Sequence, residues 1–198
     1  MRYLVVCLLL GGCVTTPQYV VTTRYLLDPA VEVTPVETAP FSLGIRPLEA
    51  ARPYRQQMVI RETAHRLGAY EHAEWAELPA ERLTRALADA VLATQRFQDV
   101  GQTFDVGAPD LLLMGRIRRF DEVRTQSPPA AECEIRIELR TGLGREAVWA
   151  ETLSVSEPIK EGGGPPAFAE AMSRACGRLI SDAAKRLSEI PLPQAERK

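Results

Sequence analysis

The chain has 198 residues, 45% of them hydrophobic and 25% charged, with a formal net charge of −2. This is enough for one globular domain with a sizeable core. So even a charge balance gives no electrostatic case for nucleic acid as a partner and none for a broad basic face on an anionic membrane.

The first element is a single cation, Arg2, followed by the apolar run Tyr3 to Leu10 and then Gly11, Gly12 and Cys13. A positive start, a short apolar core and small residues at a cleavage point describe a secretory signal. The run is far below the roughly 20 apolar residues of a membrane-spanning helix. Leu10-Gly11-Gly12-Cys13 resembles the lipobox of bacterial lipoproteins. That resemblance implies lipidation of the Cys13 thiol, cleavage before it and acylation of the new amino terminus. Several acyl chains anchor stably where one is marginal. Residues 1–12 are therefore expected to be a signal peptide and residues 13–23, rich in Thr, a lipidated tether. No acidic residue follows Cys13 directly. By the sorting pattern of the lipoproteins it resembles, this implies the periplasmic face of the outer membrane.

Arg24 to Asp28 is a short strand candidate stopped by Pro29, and Ala30 to Pro40 reads as a loop. Phe41 to Ile45 has the alternation of a half-buried strand. Arg52 to Arg55 is irregular, Met58 to Arg61 is a strand, and Arg66 to His72 can pair with it as a hairpin. The spacing of Leu83, Leu87, Ala90, Val91 and Phe97 predicts a helix over Trp75 to Phe97. Pro79 suits its first turn, and Glu81 and Arg85 stand four apart in the favourable order. Gly101 to Pro109 reads as a turn region. Leu111 to Phe120 is a strand with Leu111, Leu113, Gly115 and Ile117 on one face and Leu112, Met114, Arg116 and Arg118 on the other.

Glu132 to Arg140 alternates most sharply. Cys133, Ile135, Ile137 and Leu139 point in, while Glu132, Glu134, Arg136, Glu138 and Arg140 point out. The turn Thr141 to Gly144 leads to a returning strand, Ala147 to Val155, whose inner face is broken by Glu151. A Gly- and Pro-rich connection, Lys160 to Pro166, precedes a second helix, Ala167 to Ser188, with its stripe at Phe168, Met172, Ala175, Leu179, Ala183 and Leu187. The expected fold class is α+β: a mainly antiparallel sheet with two long amphipathic helices packed on one face, preceded by the signal peptide and tether. The domain is expected over 24–190, with a polar tail at 191–198.

No catalytic residue, cofactor site or metal site is expected. His65 and His72 lack partners at ligand spacing, Gly162 to Gly164 is followed by Pro-Pro rather than by the Lys of a phosphate loop, and no nucleophile motif is present. The acids of Glu132 to Glu138 alternate with Arg, as on a solvated face. Cys133 and Cys176 fall where a strand and the last helix can meet, and a disulfide and two buried small hydrophobes are both open readings. Trp75 reads as a hydrophobic staple on the first helix or as a partner anchor. Arg116 and Arg118, with Arg119, Arg136 and Arg140, form a candidate basic stripe toward lipid phosphate or an acidic partner, or half of a salt-laced surface. Trp75, Arg116 and Arg118 are the candidate partner contacts.

The order of these pieces resembles a known family. After the lipobox come Tyr25-Leu26-Leu27-Asp28, the strand Phe41 to Ile45, Pro53-Tyr54-Arg55 leading into Gln57 to Arg61, Glu74-Trp75-Ala76-Glu77-Leu78, Asp110 to Phe120 with its terminal Arg-Phe, the Glu-rich meander and the last helix. Together they resemble the ABC-type transport auxiliary lipoproteins, a group that includes the lipoprotein subunit of the paraquat-inducible system. The resemblance covers about Arg24 to Leu187. It implies a non-catalytic subunit that works with MCE-domain proteins and inner-membrane transporter components in moving lipid across the periplasm. Some members form rings, which implies homo-oligomerisation. An outer-membrane lipoprotein that regulates a cell-wall synthase or assists lipopolysaccharide assembly is the alternative reading.

Overall fold

The structure, a computed structural model, describes residues 21–103, 105–142 and 146–192. The signal peptide, Cys13, most of the tether, part of the Thr141–Gly144 turn and the tail from residue 193 lie outside the described residues.

Among the described residues, nine strands form one sheet, with two helices on one face. The strands are β1 (Thr23–Tyr25), β2 (Ala39–Ile45), β3 (Glu49–Ala50), β4 (Gln57–Thr63), β5 (Arg66–Trp75), β6 (Phe97–Gln102), β7 (Leu111–Val123), β8 (Ala130–Thr141) and β9 (Ala147–Pro158). The helices are α1 (Pro79–Ala93) and α2 (Gly164–Glu189). This is the expected α+β class. The antiparallel ladders β4–β5, β7–β8 and β8–β9 carry most of the paired positions.

The sheet is organised on β7. One flank of β7 is covered along nearly its whole length by β8. The other flank is shared end to end by three short parallel segments, β2 against Leu111–Leu113, β3 against Arg116–Ile117 and β4 against Asp121–Val123. Beyond them the sheet divides: β6 adds to β2, while β5 and then β1 add to β4.

A bulge at Arg118 resets β7. Ile117 stands opposite Ile135, but Arg119 stands opposite Glu134, so Arg118 is the extra residue. An inserted residue reverses the alternation that follows it. Leu111, Leu113 and Ile117 thus share the helix-covered face with Phe120, although an odd count separates Phe120 from them. The inner face of β8 is buried throughout, and the α2 stripe from Phe168 to Leu187 closes over it.

Four sequence expectations are corrected. The first helix is Pro79–Ala93, not Trp75 to Phe97: Trp75 ends β5 and Phe97 opens β6. Both aromatic rings are buried and fit the helical period by position alone. Gly101 and Gln102 belong to β6 rather than to a turn, because a strand recruited in parallel beside β2 needs no apolar alternation of its own. Arg85 pairs with Glu77 before the helix, not with Glu81. α2 begins three residues earlier than expected, with Pro165 and Pro166 in the first turn, where their missing N–H groups leave no helix bond unmade.

The segment between β1 and β2 is a strap rather than a free loop. The Asp28 N–H donates to Ser173 Oγ at 3.1 Å and the Glu32 N–H to Ser181 Oγ at 2.9 Å, with Gly177 of α2 facing the Ala30 carbonyl between them. Four extended residues span about 13 Å and eight helical residues rise about 12 Å, so the two chains stay in step. Ser173, Gly177 and Ser181, four apart, make a small-residue track along α2 in which the strap lies. Val31 and Val33 turn to α1, where with Ala86, Ala90 and Ala93 they line a shallow cavity of about 240 Å³. The strap then joins the end of α1, with the Val36 N–H donating to the Thr94 carbonyl at 2.8 Å and Thr38 Oγ1 to the Gln95 carbonyl at 2.8 Å.

Candidate interaction surface

The face of the sheet away from the helices carries a lattice of charges. Alternation on β8 places Glu132, Glu134, Arg136, Glu138 and Arg140 there. The bulge on β7 puts Arg118 and Arg119 on this face side by side, so two successive guanidinium groups reach two acids of β8. Arg118 Nε is 3.2 Å from Glu134, and Arg119 donates to Glu132 at 2.8 Å. Arg116 reaches the other way, to Glu49 of β3 at 2.6 Å. Glu138 accepts from Arg136 at 3.0 Å and from Arg140 at 3.4 Å. These donors hold its carboxyl below the ordinary value of 4.5, Arg136 contributing most. Exposed pairs like these add little stability each. Their effect is to fix a rigid, directional pattern of charge over a shallow concavity of about 540 Å³.

This face is closed at one end by a buried acid. Asp121 is 0% exposed, beneath the short 3-10 turn Arg52–Tyr54. It accepts from Tyr54 Oη at 2.9 Å and from Arg61 Nη2 at 2.5 Å. The next residue, Glu122, faces the helices and is 3% exposed. It accepts from Tyr70 Oη at 2.5 Å and Arg124 Nε at 2.6 Å, while Tyr70 stacks on Phe168 of α2. Burial, reinforced by the neighbouring carboxylate, pushes both tyrosine hydroxyls up to about 12, so they remain donors. Two Tyr–acid–Arg sets therefore hold the end of β7, one tying it to β4 and the 3-10 turn and the other tying it to β5. Sequence reasoning missed them, since the expected strand ends at Phe120 and Arg61 and Tyr70 stand about 50 to 60 positions away in the chain.

Of the candidate partner contacts, Arg116 and Arg118 lie on the charged face, both well exposed. Trp75 does not. It is 1% exposed, with its ring 5.5 Å from Phe120 and 5.7 Å from Phe168 between centroids. A side chain enclosed by the sheet and α2 is offered to no partner, and being on β5 it is not a staple of α1 either. Cys133 and Cys176 do meet: their sulfurs are 3.8 Å apart, both thiols free and fully buried. His65 and His72 are exposed. Among the described residues there is no cluster of His, Cys, Asp or Glu that could hold a metal, and no helix long and apolar enough to cross a membrane.

An open groove of about 830 Å³ lies between the strap and α2, lined by Glu32, Val36, Arg178, Asp182 and Lys185 among others. Its mixed charges and exposure resemble a seam between packed segments more than an enclosed ligand site.

The class this defines is a single α+β body with helices on one sheet face and a patterned charged face on the other. The chain belongs to the ABC-type transport auxiliary lipoprotein component family, which matches over residues 25–184. Among solved structures it is similar to protein XCC0632 from Xanthomonas campestris, with a TM-score of 0.73 at 24% identity over 84% of this chain and 94% of that one. It is also similar to the hypothetical protein CT253 from Chlamydia trachomatis, with a TM-score of 0.52 at 8% identity over 77% and 98% of the two chains. At such identities the likeness concerns the fold. No curated protein matches the sequence.

Proposed function

We propose that the protein is a non-catalytic auxiliary subunit of an ABC- and MCE-type transport system for lipid or another hydrophobic substrate. In this reading it is anchored by acyl chains on Cys13 at the periplasmic face of the outer membrane, and it acts by docking to an MCE-domain protein and inner-membrane transporter components. The observation that carries the reading is the family match, which spans the folded body from β1 to within a few residues of the end of α2. From Cys13 to β1 is a tether that reaches at most about 35 Å when extended, so the body would work close to its membrane. The charged sheet face, with Arg116 and Arg118, is the docking surface. Self-association belongs to the proposal as well: β9 is paired on one side only, and a free edge can accept a strand from another chain.

The test is a mild-detergent pull-down of the tagged, acylated protein from its own envelope, with partners identified by mass spectrometry. An MCE-domain protein should co-purify and should be lost when the globular body is replaced and the lipobox kept. Recovery of a peptidoglycan synthase or a lipopolysaccharide-assembly protein, with no MCE-domain protein, would refute the reading.

A further inference from the structure

We propose that Cys133 and Cys176 are oxidised in the envelope to a disulfide that ties α2 to β8, the strand between β7 and β9. The inference rests on the reading that the chain is exported, since disulfides persist in oxidising compartments and not in the cytosol.

The geometry carries it. These are the only cysteines among the described residues, and 43 positions separate them in sequence. They nevertheless face each other with their sulfurs 3.8 Å apart. Cys133 sits on a strand held by ladders on both sides, between Phe120 of β7 and Val155 of β9. Cys176 sits on the buried face of α2. A disulfide needs the sulfurs at about 2.05 Å. The remaining gap, on the order of 2 Å, is within the arc that a sulfur sweeps about its Cα–Cβ bond. Bond formation removes both thiol protons and two electrons. The electrons pass through a mixed disulfide to a thiol–disulfide oxidant of the envelope, which ends as a dithiol.

Burial also dates the reaction. Both residues are 0% exposed, so neither sulfur can be reached by an oxidant once the core has closed. Burial further pushes the Cys176 thiol up, away from the reactive thiolate. The bond therefore forms during folding, before α2 settles on the sheet. A reduced protein that has already folded is slow to oxidise until it opens.

The experiment starts from cells expressing the full chain. Membranes are separated from cytoplasm, each fraction is denatured in N-ethylmaleimide so that buried free thiols are trapped, and the protein is digested without reductant for mass spectrometry. The expected result is one linked species joining the peptides of Cys133 and Cys176. Refolded without reductant, the protein should melt about 10 °C higher than when refolded with it. That difference should vanish in the Cys133→Ala/Cys176→Ala double variant. Maleimide on both cysteines in membrane-bound protein would overturn the disulfide and leave export standing. Maleimide on both in protein confined to the cytoplasm would overturn the two together.

Discussion

Replacing Gly177 by Ala sets two effects of opposite sign against each other. Gly177 lies inside α2, where Ala is the better helix former by about 1 kcal/mol. On propensity alone the variant gains stability. The structure says otherwise. A Cβ at 177 would overlap the carbonyl oxygen of Ala30 and stand 3.1 Å from its carbon and 3.2 Å from its nitrogen. These are backbone atoms of a strap pinned on both sides by Ser173 and Ser181, so no flexible side chain can give way. α2 cannot retreat, because its other face is the core of the protein. Overpacking of this kind costs about 1–3 kcal/mol. If the strap lifts instead, the bonds from Asp28 N–H and Glu32 N–H are lost, at about 1 kcal/mol each. By either route, after the helix gain, a net loss of about 1 kcal/mol is expected from urea denaturation. In hydrogen exchange the Asp28 and Glu32 amides should lose protection while those in the middle of α2 keep it. A variant more stable than the parent by about 1 kcal/mol, with both amides still protected, would refute the reasoning.

Two further outcomes follow from the charged groups. Asp121→Ala leaves Arg61 and Tyr54 without their buried partner and should cost about 3–5 kcal/mol, whereas Glu49→Ala, which breaks an exposed pair with Arg116, should cost less than about 1 kcal/mol. Denaturation of the two variants side by side checks the contrast. With pH, Asp110 and Glu138 contribute on the acid side. The backbone N–H of Ser42, then its hydroxyl, holds the Asp110 carboxyl below its ordinary 3.8, and Arg136 does so for Glu138 below 4.5. Depressed carboxyls stabilise the fold above their unfolded values and lose that contribution as pH falls through the folded ones. Stability should therefore decline below about pH 4.5, and the Asp110→Asn/Glu138→Gln variant should show a shallower decline in a pH series of melting curves. On the alkaline side the signs reverse: Tyr54 and Tyr70, raised to about 12, stabilise below pH 10 and cease to do so as pH rises toward 12. Ultraviolet titration should show these two phenols ionising only as the pH approaches 12.

Much of this fold was legible wherever one strand or helix carries its own pattern. β8 alternates without a break, and the α2 stripe keeps helical spacing over its length, so both were placed nearly as found. What escaped depends on a neighbour. β6 has little apolar period and exists because β2 lies beside it. Trp75 and Phe97 extended a helical pattern that the chain does not follow, since buried aromatics on flanking strands imitate the period. The bulge at Arg118 leaves no mark in composition, yet it puts two arginines on one face and turns Phe120 inward. The charged face was half legible: its acids and bases were named from β7 and β8, but the pairing of Arg116 with Glu49 needed β3, a two-residue strand with no signal of its own. The strap was hidden for another reason. Ser173, Gly177 and Ser181 stand outside the apolar stripe by which the helix was recognised, and the stretch before β2, with its prolines, read as a loop. Only together do they show that small residues at intervals of four accept an extended chain.

That strap also decides how the molecule would answer a pull. A load applied through its N-terminal end meets the fastenings one after another. The first is the three-residue ladder of β1 on the edge of β5. Next is the hold of Arg82 on the Leu27 carbonyl and the Asp28 carboxylate. The two serines of α2 follow, and finally the bonds to the end of α1. None of these belongs to the ladders on β7. Residues 23–38 can thus be drawn out in steps, releasing up to about 50 Å of chain, while the sheet from β2 to β9 stays paired. Under the anchoring proposed above, the strap is a leash with its own reserve of length, whose reach under tension is set by a few local hydrogen bonds rather than by the ladders on β7.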